Sequence, residues 1–193
     1  MAFSAAISED RQPTAEEISK ANIPYLDAVI EEVLRFGQPT PVVSREAMVD
    51  TTILGHMIPK GTTLLVSSVG PGYHSLPIQV QDSVRSDTAR TKYFGSDWDP
   101  KDIDLFNPDR WLKKDETGGI VYDSQAGPFL SFGLGPRGCF GRRLAYLEMR
   151  IVLTLLLWNF KFRKLEGELA SYSTTEAVTV MPKFCYVGLE RVG

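Results

Sequence analysis

Phe132-Gly133-Leu134-Gly135-Pro136-Arg137-Gly138-Cys139-Phe140-Gly141, followed by Arg142-Arg143-Leu144-Ala145, is a glycine-rich loop that delivers one cysteine to the start of a helix. Gly133, Gly135, Gly138 and Gly141 permit positive φ values and a close approach of backbone to a flat partner. Pro136 stiffens the loop and removes one N–H. Leu144 to Trp158 reads as a long apolar helix, so Cys139 stands just ahead of a helix N-terminus, where unpaired N–H groups favour an anion. A thiolate is such an anion, and Arg137 adds a cation on the same loop. Three roles fit the residues alone: a catalytic nucleophile, a thiolate ligand to a metal, or a buried structural cysteine beside a turn.

The spacing carries more. Phe132-x-x-Gly135-x-Arg137-x-Cys139-x-Gly141 resembles, position for position, the haem-ligand signature of the cytochrome P-450 family. The resemblance implies that Cys139 is the catalytic centre's proximal ligand to the haem iron. It implies that Phe132 packs near the haem and the sulfur, and that Arg137 pairs with a haem propionate. Gly135 and Gly141 belong to the same cofactor-binding loop. The cofactor implied is haem b, and an anionic sulfur on its iron favours O–O cleavage.

Working outward, a second element fits. Pro24 suits a first helical turn, and Leu26, Val29, Ile30, Val33 and Leu34 form an amphipathic stripe over 24–36. Gly37, Pro39 and Pro41 end it. Glu32 and Arg35 lie on this helix one turn apart, roughly opposite the stripe. By spacing alone they are a solvated ion pair. The helix resembles the family's K helix, in which a Glu-x-x-Arg pair is buried and joined by a second arginine. Arg110, in Phe106-Asn107-Pro108-Asp109-Arg110-Trp111, is the third member that the resemblance implies. Such a triad is structural, a bidentate clamp ahead of the cysteine loop. The family often has Glu where Asp109 stands and Phe where Trp111 stands.

The stretch 42–69 reads as β, with a turn at Ile58-Pro59-Lys60-Gly61-Thr62 and a strand from Thr63 to Val69. The resemblance makes Arg45 the match for an arginine that reaches the second propionate, and Pro41, Val42 and Val43 substrate contacts. Gly70-Pro71-Gly72-Tyr73-His74 resembles the point where the family has a His-Arg pair. Ser75 replaces the arginine, and His74 is either a propionate-facing group or a plain loop histidine. Residues 75–97 read as a surface insertion before Trp98-Asp99-Pro100, and 112–131 as a polar, mobile loop.

At the N-terminus, 1–13 read as frayed, and Thr14 with Glu17 as a capping box opening a short helix to about Lys20. At the C-terminus three β runs are expected: Phe160-Lys161-Phe162, Ala177-Val178-Thr179-Val180 and Phe184 to Leu189. The resemblance makes Tyr172 to Glu176 the tip of a hairpin lining a substrate pocket. Cys185 reads as a small core hydrophobe.

Bulk composition narrows the classes. The 193 residues are 43% hydrophobic and 23% charged with a formal net charge of −3, an ordinary globular composition with no basic block for nucleic acid. Two cysteines make no disulfide scaffold, and His56 and His74 have no zinc-ligand spacing. Neither histidine is placed as a base for Cys139, and there is no Cys-x-x-Cys, which disfavours a cysteine hydrolase or a thiol oxidoreductase. No signal-peptide pattern or membrane-spanning run stands out, so localisation is unknown, although full-length eukaryotic relatives are anchored at the endoplasmic reticulum.

The expected fold is α+β and mainly α, resembling the C-terminal half of the cytochrome P-450 domain: K helix, small β-sheet, meander, cysteine-ligand loop, L helix and C-terminal β-hairpin. Residues 1–193 are then a single partial domain. The N-terminal half, with the helix that crosses the distal haem face and carries the acid-alcohol pair, is absent. The implied activity is a haem-thiolate monooxygenase that inserts one oxygen atom from O₂ into a small organic substrate, fed by an NADPH-dependent reductase. The alternative is a truncated, non-catalytic remnant that binds haem weakly or acts only with a missing half or partner.

Overall fold

The computed structural model describes residues 2–91, 98–99, 101–128, 130–177 and 179–192. Three helices open the chain: α1 (Ser4–Ser8), α2 (Ala15–Lys20) and α3 (Pro24–Phe36). Residues 1–13, expected to be frayed, thus contain a helical turn. Ala6 is fully buried, and Phe3 meets Trp158 edge-on with ring centroids 6.1 Å apart. Arg11 then grips Glu17 bidentately at 2.8 Å on both oxygens, which fastens the turn to α2. The capping box forms as expected: Thr14 Oγ1 accepts the Glu17 N–H at 3.2 Å, and Glu17 accepts the Thr14 N–H at 2.7 Å.

Helix α3 keeps its expected bounds, with Pro24 in its first turn and Gly37 closing it. Its buried face takes in part of the apolar stripe and extends onto the charged side. Leu26 and Ile30 are buried, but so are Glu31, Glu32 and Arg35, while Val33 is 44% exposed. The segment Pro108–Trp111, a 3₁₀ turn, packs on the charged side and covers it.

Strands β1 (Val42–Glu46) and β4 (Thr63–Ser67) pair antiparallel, Val42 opposite Ser67 and Glu46 opposite Thr63. Between them β2 (Thr51–Ile53) and β3 (His56–Ile58) form a hairpin around Leu54-Gly55, both at positive φ. Further on, a 3₁₀ turn over Asp82–Val84 precedes α4 (Asp87–Thr91). Residues 92–97 and Pro100 lie outside the described residues, so the expected insertion is described only in part.

The expected mobile loop over 112–131 is instead ordered at its start. Strands β5 (Leu112–Lys114) and β6 (Ile120–Tyr122) pair antiparallel. Asp115 closes their turn by accepting from the Thr117 and Gly119 N–H groups at 2.9 and 2.8 Å, the Asx geometry that aspartate offers a tight turn.

Helix α5 (Arg142–Asn159) runs from the cysteine loop and leads directly into β7 (Phe160–Arg163), which pairs with β10 (Gly188–Arg191). Arg150 staples α5 to the α2–α3 connection: Nε donates to the Ile18 carbonyl at 3.0 Å, and its terminal nitrogens reach the Ala21 carbonyl and the Asp27 carboxylate. Thr154 is the buried residue of α5, while Leu144, Leu147, Val152 and Leu157 stay exposed.

The C-terminal β expectations need correction. The second hairpin pairs β8 (Thr174–Glu176) with β9 (Val180–Pro182), so Thr174 to Glu176 is a strand rather than a tip. The turn follows it, with the Ala177 N–H donating to the Thr179 carbonyl; Val178 lies outside the described residues. Cys185 is exposed and lies in irregular chain between β9 and β10, not in a core strand. Among the described residues, every sheet is a two-stranded antiparallel ribbon, and such ribbons depend on the helices for stability. No helix of the described residues is long and apolar enough to cross a membrane.

Candidate functional site

The cysteine loop is built from its own backbone. The Gly133 N–H donates to the Leu130 carbonyl at 2.9 Å, and Gly135–Arg137 form a 3₁₀ turn closed by the Gly138 N–H on the Gly135 carbonyl at 3.0 Å. The Cys139 N–H reaches back to the Phe132 carbonyl at 2.7 Å. Only two of the four glycines need positive φ: Gly133 and Gly135 both sit at 65°. Gly138, at φ −62°, has little room for a side chain, since a Cβ there would lie 3.2 Å from the Gly135 carbonyl oxygen. Gly141, at φ −77°, is the N-cap of α5. Cys139 therefore stands three residues ahead of the helix, and its carbonyl accepts the Arg142 N–H at 3.3 Å.

Cys139 is a free, exposed cysteine, and Phe140 beside it is fully exposed. Arg137 is exposed and has no ion-pair partner among the described residues. A soft sulfur donor, an uncommitted guanidinium two residues away and an open aromatic face suit an iron-bearing planar ligand with anionic substituents. The residues present thus fit haem. Among the described residues no cluster of three His, Cys, Asp or Glu is placed to hold a metal ion.

Arg45 lies on β1, exposed, with Nη1 on the Ser44 carbonyl at 2.7 Å. His74 lies in the loop beyond β4, beside the end of α3. Its Nε2 donates to the Arg35 carbonyl at 2.7 Å, and its ring stacks on Phe36 with centroids 5.3 Å apart. The ring thereby caps the end of α3.

The triad is assembled and dry. Glu32 is fully buried and Arg35 is 2% exposed. Glu32 Oε1 accepts from Arg35 Nη2 at 2.7 Å, from Arg110 Nε at 3.2 Å and from the Asn107 N–H at 2.8 Å. Its Oε2 accepts from Arg35 Nε at 2.9 Å and from Trp111 Nε1 at 2.9 Å. Burial pushes the carboxyl up, but these donors and the Arg35 charge outweigh it and hold Glu32 below the usual range. Arg35 also donates to the carbonyls of Tyr73, Ile103 and Leu105. One guanidinium thereby fixes two loops.

Several participants carry no sequence signal. Glu31, beside Glu32, is 3% exposed, and burial pushes its carboxyl up against the hydrogen bonds it receives. Tyr146 Oη donates to Glu31 Oε1 at 2.8 Å, and Tyr122 Oη donates to the same oxygen. Burial first, then the Glu31 contacts, raise both tyrosines above their ordinary value. Ser131 bonds the Leu34 carbonyl at 3.1 Å and the Gln38 side chain, and Gln38 Nε2 donates to Ser68 Oγ at 3.1 Å. The residue that leads into the cysteine loop is thus tied to α3 and, through Gln38, to the end of β4.

Known proteins resemble this chain throughout. The family model described as Cytochrome P-450 matches residues 3–73 and 101–187, passing over the stretch expected to be an insertion. The cytochrome P-450 monooxygenase TRI13 of Fusarium sporotrichioides is 43% identical over 98% of this chain and 35% of its own length. The Hps1-dma1 cluster cytochrome P-450 monooxygenase cyp3.1 of Dothistroma septosporum is 40% identical over 96% of this chain and 63% of its own. Among solved structures, retinoic acid bound cyanobacterial CYP120A1 superposes with a TM-score of 0.63 at 26% identity, over 94% of this chain and 35% of that one. A haem domain at 20% identity superposes with a TM-score of 0.64, a likeness of fold. The chain spans about a third of the length of TRI13, and less than two thirds of cyp3.1.

Proposed function

The chain belongs to the cytochrome P-450 family, and from that premise we propose that it is the haem-ligand part of a haem-thiolate monooxygenase domain, with Cys139 as the axial donor. The observation that carries the reading is the exposed Cys139 at the end of a backbone-braced loop whose glycines and Arg137 match the family's spacing. Bound haem supplies the oxygen chemistry, insertion of one atom of O₂ into a small organic substrate, with electrons from an NADPH-dependent reductase.

The chain's own residues have the remaining work. Cys139 holds a thiolate at a fixed point, because its N–H is bonded to Phe132 and its carbonyl to Arg142. Arg137 offers an unpaired charge for one propionate, and Arg45 for the second. Gly133 and Gly135 keep the loop free of side chains where a flat ligand approaches. Glu32, Arg35 and Arg110 take no part in the chemistry and set the height of the loops around α3. Residues 1–193 act as one partial domain in this reading.

A second reading, a remnant that binds haem weakly or works only with a partner, is favoured by the exposure of Leu144, Val152 and Leu157 along α5. The reduced, CO-bound absorption spectrum of the chain with added haem separates the two. A thiolate-type Soret band that disappears in Cys139→Ser, with circular dichroism unchanged, supports the first reading. A folded chain without the band supports the second, and a band retained in Cys139→Ser overturns the ligand assignment.

A further inference from the structure

We infer that Glu31 is a positioning residue for the Cys139 loop, acting through the hydroxyl and ring of Tyr146. A buried carboxylate is costly, and replacing a buried polar network with apolar groups of similar volume is often neutral for stability. What such a group supplies is a fixed geometry. Glu31 Oε1 gathers two hydroxyls from elements distant in the chain, Tyr122 of β6 and Tyr146 of α5. Its Oε2 is buried with no hydrogen-bond partner among the described residues, so the whole grip falls on one oxygen.

From that oxygen the path to the cysteine is short. The Tyr146 ring packs on Phe132 with centroids 5.4 Å apart and planes at 40°. The Phe132 carbonyl accepts the Cys139 N–H at 2.7 Å. On its other neighbour the Tyr146 ring meets the Arg142 guanidinium, 5.5 Å from the centroid. The preceding residue, Ser131, is anchored to the Leu34 carbonyl at 3.1 Å. Helix α3 therefore holds two consecutive loop residues by independent routes, Ser131 directly and Phe132 through Tyr146. Tyr122 shares the carboxylate but touches no loop residue through the contacts described. That difference separates positioning from mere support.

The inference deepens the haem reading, since the loop matters because it presents Cys139, but its geometry is testable without haem. The two cysteines are both free and exposed, so Cys185 serves as an internal reference for Cys139. Iodoacetamide is added to the 193-residue chain, and the two alkylation rates are followed by peptide mass spectrometry. Glu31→Leu and Tyr146→Phe raise the Cys139-to-Cys185 ratio about threefold or more, the scale of one lost hydrogen bond. Glu31→Gln, which keeps an acceptor oxygen, restores the ratio, and Tyr122→Phe leaves it at the wild-type value. Should Glu31→Leu fail to fold by circular dichroism, Tyr146→Phe carries the same expectation. An unchanged ratio in folded Tyr146→Phe overturns the inference, as does an equal rise in Tyr122→Phe. With haem and CO added, Glu31→Leu or Tyr146→Phe lowers the share of thiolate-type band and Glu31→Gln keeps it. If wild type shows no such band while the alkylation pattern holds, the haem reading fails and the positioning role stands.

Discussion

Replacing Glu32 with alanine removes a carboxylate that accepts five hydrogen bonds, from Arg35 twice, Arg110, Trp111 and the Asn107 backbone. Summing five charge-assisted bonds at about 1.5–3 kcal/mol each would equal the whole stability of a typical domain. The sum is wrong because Glu32, fully buried, has already lost its hydration in the native state. Breaking one side of a buried ion pair costs about 3–5 kcal/mol, because the other side is stranded. Here the stranded group is Arg35, which still has the carbonyls of Ile103 and Leu105 at 2.8 and 3.0 Å. The lower half of that range, about 3–4 kcal/mol, is therefore expected. With a urea slope of about 2 kcal/mol/M, the unfolding midpoint falls by roughly 1.5–2 M. The assay is urea unfolding followed by far-ultraviolet circular dichroism at pH 7. A midpoint shift below about 0.5 M with an unchanged slope would refute the buried clamp.

Trp111→Phe keeps a buried ring but loses the indole N–H that meets Glu32 Oε2 at 2.9 Å. A loss of about 1.5–3 kcal/mol in the same urea assay is expected, and no loss would mean that the hydrogen bond is idle. Glu31 and Glu32 titrate in opposite senses. Because burial raises Glu31 in the folded chain above its ordinary 4.5, its contribution is complete below that value and lost as pH rises through the folded one. Glu32, lowered, contributes above the ordinary value and loses that contribution as pH falls. Tyr122, Tyr146, Arg142 and Asp27 are the groups that face Glu31. Glu31→Gln should flatten the fall in urea midpoint on the neutral side, and parallel profiles for wild type and variant would contradict it.

What could be read in advance was whatever the chain writes locally. The cysteine loop is a run of ten residues, the Glu32–Arg35 pair spans one helical turn, and the Thr14–Glu17 capping box spans four residues. Arg110 became readable through the family resemblance, since nothing within a few residues of it announces a partner 78 positions earlier. Glu31 was missed for the same reason: Tyr122 and Tyr146 lie 91 and 115 positions away, and an acidic pair in a helix ordinarily faces water. The β5–β6 hairpin escaped because each strand has three residues and the lysines of β5 resemble a loop. Cys185 was misread because apolar neighbours suggested a core strand, whereas pairing resumes only at Gly188. Val33 continues the periodic stripe yet is exposed, since the neighbouring 3₁₀ turn covers the charged side of α3 instead.

The length of chain between Glu32 and Arg110 has a consequence during synthesis. At about 5–20 residues per second, the 78 residues from Val33 to Arg110 take roughly 4–16 s to emerge. For most of that interval Asn107, Arg110 and Trp111 do not yet exist, nor do the carbonyls of Ile103 and Leu105 that receive Arg35. A nascent α3 carries Glu32 and Arg35 as an ordinary wet pair one turn apart. The solvated pair and the buried triad are then successive states of the same two side chains, and the ribosome sets the delay between them.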